Sequence, residues 1–282
     1  MIADLPLEAC PQTLMIEGTG PELAMSLAHS AEIVKRDDVT HDAFLGGALT
    51  ITQPRAGFRA GLDSVLLGAA TGRDSGALLD LGAGVGTAGL VALAHHPGLR
   101  ATLVESDSGV AALARANIAA NGLSGRADLI ETDLTAPGRA RAAAGLAADH
   151  FATVIANPPF FEAGTSPAAG RKAARHMRPE ALDGWVKAAA SHAAPGGEVI
   201  FVHVAERLPA LLTAFEARFG AITLLPLTPR EGEPAHRILI RGIKGSRAPL
   251  TLLASRALHN ASGRAFRPEF EAIFRGAGWL HW

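Results

Sequence analysis

The chain has 282 residues, 48% of them apolar, enough to bury one large α/β core or two small ones. Its single cysteine, Cys10, excludes a disulfide framework and a thiolate zinc cluster. A net charge of −1 hides an asymmetry: residues 1–170 carry 10 basic and 18 acidic side chains, whereas residues 171–282 carry 16 and 9, so the second half is the one suited to a polyanion.

Asp4 and Glu8 interrupt the first ten residues, so a signal peptide is not expected and the cytoplasm is the expected compartment. Residues 1–40 show little periodicity beyond a short helix over 22–34 and are expected to form a partly helical or mobile lead-in. Residues 41–282 are expected to form a single domain. Within it, 48–53 alternate as a strand, 54–57 turn, and 62–71 have helical apolar spacing behind Asp63 or Ser64 as N-cap. Strands over 77–81, 101–105, 128–131 and 151–156 follow, with helices over 87–95, 108–120 and 139–147 between them. A strand over 198–204, a helix over 208–219, strands over 222–227 and 237–243, and an edge strand over 250–254 complete the pattern. The longest uncharged stretch, 81–99, contains five glycines, two histidines and Pro97, so it reads as strand, turn and helix rather than a membrane span. Such alternation predicts a Rossmann-like α/β fold, a largely parallel sheet with helices on both faces. No helix separates the last two long strands, so one of them should run antiparallel at the sheet edge.

Two motifs carry chemistry. The first is Asp80-Leu81-Gly82-Ala83-Gly84-Val85-Gly86, where an apolar strand runs into a glycine turn and then a helix. Glycines at 82, 84 and 86 let the backbone turn sharply and approach a ligand that a Cβ would hold away. The spacing differs from the dinucleotide fingerprint, and an acidic residue at 80 is unsuited to a pyrophosphate. It suits instead the ammonium of S-adenosylmethionine (SAM). Glu105, ending the next strand, is placed for the ribose hydroxyls, Asp133 for the adenine amino group, and Leu134 to pack on the ring. No metal is called for.

The second motif, Asn157-Pro158-Pro159-Phe160-Phe161, follows a strand about 75 residues later. An exocyclic amino nitrogen is a poor nucleophile because its lone pair is delocalised into the ring. Accepting both of its N–H bonds favours a nitrogen whose lone pair points at the methyl donor. The Asn157 side-chain oxygen and the Pro158 carbonyl can supply those acceptors, so Asn157 touches cofactor and acceptor alike. Consecutive prolines stiffen the turn and remove competing donors, and Phe160 offers a face for a planar group. Pro159 and Phe161 complete the acceptor contacts. Just beyond, Arg171, Lys172, Arg175, His176 and Arg178 form the densest basic cluster, suited to phosphates beside a flipped base. Arg241, Lys244 and Arg247 form a second candidate grip.

At these residues the chain resembles the Asn-Pro-Pro-aromatic class of SAM-dependent methyltransferases, which implies a seven-stranded Rossmann-like sheet. Residues 49–54 and 57–68, with 157–161 and 171–176, are similar to the bacterial tRNA1(Val) adenine-N6 methyltransferase family over roughly residues 44–282. That resemblance implies tRNA as partner and methylation of the adenine beside the anticodon. It also implies that Gln53, Arg59 and Asp63 border the cofactor pocket. The aromatic after the prolines is often Tyr in such enzymes, and this chain has no tyrosine, so any hydroxyl contact is absent. Two alternatives share the acceptor motif: guanine-N2 methylation of ribosomal RNA and glutamine-N5 methylation of release factors. The first resembles tandem methyltransferase-like halves, whereas this chain has one glycine turn. The second carries a helical domain ahead of the fold.

Overall fold

The computed structural model describes residues 38–56, 59–160 and 179–282. The helix expected over 22–34 lies outside them, as do Phe161, Arg171, Lys172, Arg175, His176 and Arg178. The described residues open with an antiparallel hairpin, β1 (Val39–Phe44) and β2 (Leu49–Pro54). Helix α1 (Leu62–Ala69) leads into the main alternation: β3 (Ser75–Leu81), α2 (Thr87–His95), β4 (Gly98–Glu105), α3 (Ser108–Ala120), β5 (Ala127–Glu131), α4 (Gly138–Ala143) and β6 (Phe151–Ala156). Then come α5 (Pro179–His192), β7 (Ala193–Val204), α6 (Leu208–Glu216), β8 (Phe219–Thr228) and β9 (Arg237–Lys244). Two-residue strands β10 (Thr251–Leu252) and β11 (Arg256–Ala257) and helix α7 (Pro268–Phe274) follow.

Seven full strands lie in the order β8-β9-β7-β6-β3-β4-β5, and β10 and β11 extend the outer edge of β8. All are parallel except β9, which is antiparallel to both β7 and β8. The antiparallel strand therefore lies one place in from the edge expected from the sequence. The crossover through α6 returns β8 parallel to β7 with a gap one strand wide, and the short β8–β9 connection feeds β9 back into it.

Strand periodicity divides the core between the two faces. Leu78, Leu103, Ile155, Ile200 and Leu239 pack toward α1, α2 and α7, while Leu79, Leu81, Val104, Val154, Phe201 and Ile240 pack toward α5 and α6. Asp80 shares the face of Leu78 and so points at α2. The hairpin stands off the main sheet and is tied to α3 by two asparagines one turn apart. Asn117 accepts from the Thr52 N–H at 2.8 Å and donates to the Thr52 and Val85 carbonyls at 2.9 Å, and Asn121 brackets Thr50 in the same way. Helix α1 is capped at Gly61 with no side-chain cap, so neither Asp63 nor Ser64 is the N-cap. Asp63 lies instead in the first turn, where a carboxylate favours the positive end of the helix.

Candidate active site

Leu81 at the end of β3 pairs with Ala156 at the end of β6, so the glycine turn and the Asn157 turn leave the sheet side by side. Strand β3 is also where the order reverses, with β4 and β5 on one side and β6 and β7 on the other. A crevice outside the carboxyl ends of strands at such a switch point is where open α/β sheets bind ligands.

A cleft of about 450 Å³ occupies this position. Its floor is Gly82, Gly84 and Val85, its sides are Glu105 with Asp133 to Thr135, and Pro54, Ala56 and Ala60 roof it. Asn157, Pro159 and Trp185 close the remaining side. Gly82, Gly84 and Gly86 all have positive φ, at 63°, 57° and 91°. At Gly84 no atom would contest a Cβ, so its need for glycine is conformational, and its N–H donates to Glu105 Oε2 at 2.9 Å. At Gly82 a Cβ would collide with the Trp185 ring.

The other Glu105 oxygen accepts from the Ser106 and Asp107 N–H groups at 2.8 and 2.9 Å, which aims the carboxylate along the cleft wall. Asp133 is exposed and caps its own turn by accepting from the Thr135 N–H and hydroxyl, both at 2.7 Å; Leu134 is buried beneath it. Asp80 does not line the cleft. It is buried below the glycine turn and accepts from the Gly89 N–H at 2.8 Å. Burial pushes its carboxyl up to about 7 against that hydrogen bond, and the nearby Glu105 charge adds to the push.

The three residues expected by resemblance to border the cofactor pocket do not line the cleft itself. Gln53 is buried and acts as a strut: its amide donates to Asp42 at 2.7 Å and accepts from the Ala60 N–H at 2.8 Å, fixing the segment that roofs the cleft. Arg59 donates to the same Asp42 oxygen and to the Pro54 carbonyl, both at 2.7 Å. The Gln53 hydrogen bond leads the interactions that hold Asp42 below the usual carboxylate range. Asp63 pairs with Arg237, its oxygens 3.0 and 3.1 Å from Nε. Arg59 and Asp63 both line a second cavity, of about 350 Å³, bounded also by His236, Arg237, Leu258 and His259.

Asn157 lines both the cleft and the second cavity. Its side-chain Oδ1 is buried and has no hydrogen-bond partner. Pro158 is buried behind it, and Phe160 packs against the buried His203, ring centroids 5.0 Å apart, with the Arg237 guanidinium 4.8 Å over its ring. The sequence reading missed Trp185 and Arg237. Trp185 sits on α5, whose only sequence signal is the faint stripe of Leu182, Val186 and Ala189. For Arg237, opening a strand beside the acceptor turn, the sequence holds no signal.

Two members of the second candidate phosphate grip are engaged elsewhere, while Arg247 is exposed. Lys244 is drawn to Asp149 and to the Ala190 and Ala193 carbonyls, and Arg241 lies half-buried over Trp282, facing Glu198. Both occupy the part of β9 that runs away from the cleft, because that strand is antiparallel.

The model of the methyltransferase small domain family matches residues 63–227, more than half of the chain and the span that holds both turns. The chain belongs to that family. The methyltransferase is similar to the tRNA1(Val) (adenine(37)-N6)-methyltransferase of Aeromonas hydrophila, at 30% identity over 197 residues, 68% of this chain and 79% of that protein. The protein of the same name from Shewanella amazonensis is 39% identical over 122 residues, 43% of this chain and 49% of that one, so the match spans about half of its length. Among solved structures, one described as a predicted O-methyltransferase from Agrobacterium tumefaciens superposes with a TM-score of 0.67 at 30% identity, covering 77% of this chain and 98% of that chain.

The cofactor of such methyltransferases is SAM, and the cleft fits it on this protein's own features. The glycine floor leaves room at Gly84 for close approach, and Glu105 offers a carboxylate fixed along the cleft wall. Among the described residues no group of His, Cys, Asp and Glu could hold a metal ion, and no helix is long and apolar enough to cross a membrane.

Proposed function

We propose that this methyltransferase transfers a methyl group to N6 of an adenine in tRNA, in the cytoplasm, at the position beside the anticodon. The observation that carries the reading is the Asn157 Oδ1, a buried acceptor without a donor at the junction of the cleft and a second cavity. A buried acceptor left unpaired costs about 1–3 kcal/mol, which a substrate N–H would recover. The names of the Aeromonas and Shewanella relatives support adenine and tRNA as the acceptor.

When bound, SAM supplies an electrophilic methyl group. Glu105 is suited to hold its ribose hydroxyls, Asp133 and Leu134 its adenine, and Asp80, beneath the glycine turn, to favour its ammonium through charge. Asn157 Oδ1 and the Pro158 carbonyl accept the two N–H bonds of the acceptor, turning its nitrogen lone pair toward the cleft. The methylated nitrogen sheds one proton to water, so no general base is needed. Rate enhancement then comes from orientation in a pocket that excludes water. Residues 41–282 act as the catalytic domain in this reading, with 171–176 gripping phosphates.

Mass spectrometry of nucleosides from bulk tRNA, incubated with the enzyme and isotopically labelled SAM, tests the proposal. Labelled N6-methyladenosine is expected. Labelled N2-methylguanosine, or an unlabelled tRNA pool beside a labelled release factor, would overturn it.

A further inference from the structure

We propose that Arg237, rather than Phe160, presents the flat surface against which the acceptor base lies, and that the second cavity is the pocket of that base; this rests on the reading of the site as an adenine methyltransferase. Arg237 and Asn157 line this cavity of about 350 Å³, and Phe160 does not. The Phe160 ring is occupied: the Arg237 guanidinium sits 4.8 Å from its centroid and the His203 ring packs at 5.0 Å. A base entering from the cavity meets the guanidinium before the phenyl ring.

Arg237 is built to be a surface rather than a mobile charge. Its backbone is held on both sides, opposite Val204 of β7 and Leu227 of β8. Both Asp63 oxygens engage Nε, and Nη1 donates to the His236 carbonyl at 3.2 Å. These contacts fix one edge of the guanidinium while Phe160 backs one face. The cavity takes the rest. Guanidinium planes stack on nucleobases much as aromatic rings do, which a lysine ammonium cannot imitate. The result is a three-layer arrangement of ring, guanidinium and purine, with the purine amino edge reaching Asn157. Leu62, Leu227 and Leu258 give the cavity apolar walls suited to an extruded base.

A hairpin oligoribonucleotide with a single 2-aminopurine in its loop, titrated with the full chain, reads this stacking by fluorescence without turnover. Wild-type protein should quench the probe several-fold. Arg237→Lys keeps a cation for Asp63 but loses the plane. It should abolish the quenching and raise the KM for RNA about tenfold, with cofactor Kd and melting temperature at wild-type values. Phe160→Leu should retain most of the quenching. Unchanged quenching in Arg237→Lys, no quenching by wild type, or loss confined to Phe160→Leu would overturn the proposal. Should Arg237→Lys not fold, Arg237→Gln combined with Asp63→Asn removes the guanidinium without stranding a carboxylate and should lose most of the quenching; quenching at wild-type strength there counts against stacking. A wild-type enzyme that makes no N6-methyladenosine in tRNA removes the functional reading instead, whatever these variants do to the probe.

Discussion

Asn157 joins two cavities by one amide, and its buried oxygen is a debit the ligand-free fold carries. Asn157→Ala should lower kcat about 100- to 1000-fold, the usual cost of losing one preorganised polar partner, with calorimetric cofactor affinity largely unchanged. The melting temperature should hold or rise, because the variant removes an unpaired acceptor; a marked fall would show a structural role instead. Asp80 makes a prediction that depends on pH. Its ordinary pKa of 3.8 is raised to about 7 by burial. Between those values the folded chain keeps a proton the unfolded chain has lost, so stability falls as pH rises from about 4 to 7, by up to about 4 kcal/mol. Ligand-free Asp80→Asn should therefore melt above wild type at pH 8, with the gap closing toward pH 5. Equal melting temperatures at pH 8 would mean the carboxylate is well solvated. At this scale the sequence was most informative where a residue type has few uses, as with the glycines and the Asn-Pro-Pro turn. It was least informative for Gln53, Asp63 and Arg237, whose roles depend on partners as far as 174 residues away.

Helices α1 and α2 meet at Gly68, where a Cβ would strike the Ala88 carbonyl and the Val91 side chain. Since the obstruction includes backbone, Gly68→Ala should destabilise by about 1–3 kcal/mol, the range for overpacking, measured as a lower denaturant midpoint at constant m. The asparagine tie between α3 and the hairpin is as local in form but broader in effect. Asn117→Ala leaves the Thr52 N–H and C=O and the Val85 carbonyl without a partner. It should weaken cofactor binding as well as stability, because β2 leads into the roof of the cleft; binding at wild-type strength would show that the roof stands alone. Elements with clean apolar periodicity were legible, β3, α3 and β6 among them. Helix α5 was not, because Gly184 and a run of alanines blur its stripe of Leu182, Val186 and Ala189, and α7 offered only Phe270 and Ile273 in a single pair of turns. Strand β1 was missed because His41 and Asp42 sit where an apolar residue would have announced it; the hairpin needs none, being half solvated on its outer side.

Two cations of the basic second half, Arg237 and Lys244, are offset by first-half carboxylates, Asp63 and Asp149, and most other pairs lie within the second half itself. Arg218, Arg230, Arg237, Lys244, Arg256, Arg267 and Arg275 each face an acidic partner. Binding of tRNA should still weaken tenfold or more between about 50 and 200 mM salt, as phosphate contacts require, while cofactor affinity barely moves. Salt-insensitive tRNA affinity would remove polyanion recognition from the account. The fold class itself followed from strand–helix alternation; what sequence could not set was the place of β9, which depends on a gap left by an earlier crossover.

The pairing of Leu81 with Ala156 has an evolutionary corollary. Donor and recipient chemistry ride on adjacent rails of one rigid ladder, each on its own loop. Loops after β6 can therefore be exchanged between homologues, bringing a new nucleophile to the same launching point without disturbing the seat next door. A chimera carrying another family member's segment in place of 157–178 should keep its parent's cofactor affinity, and it should take that member's target only if Arg237 and the leucines around the second cavity are exchanged with it.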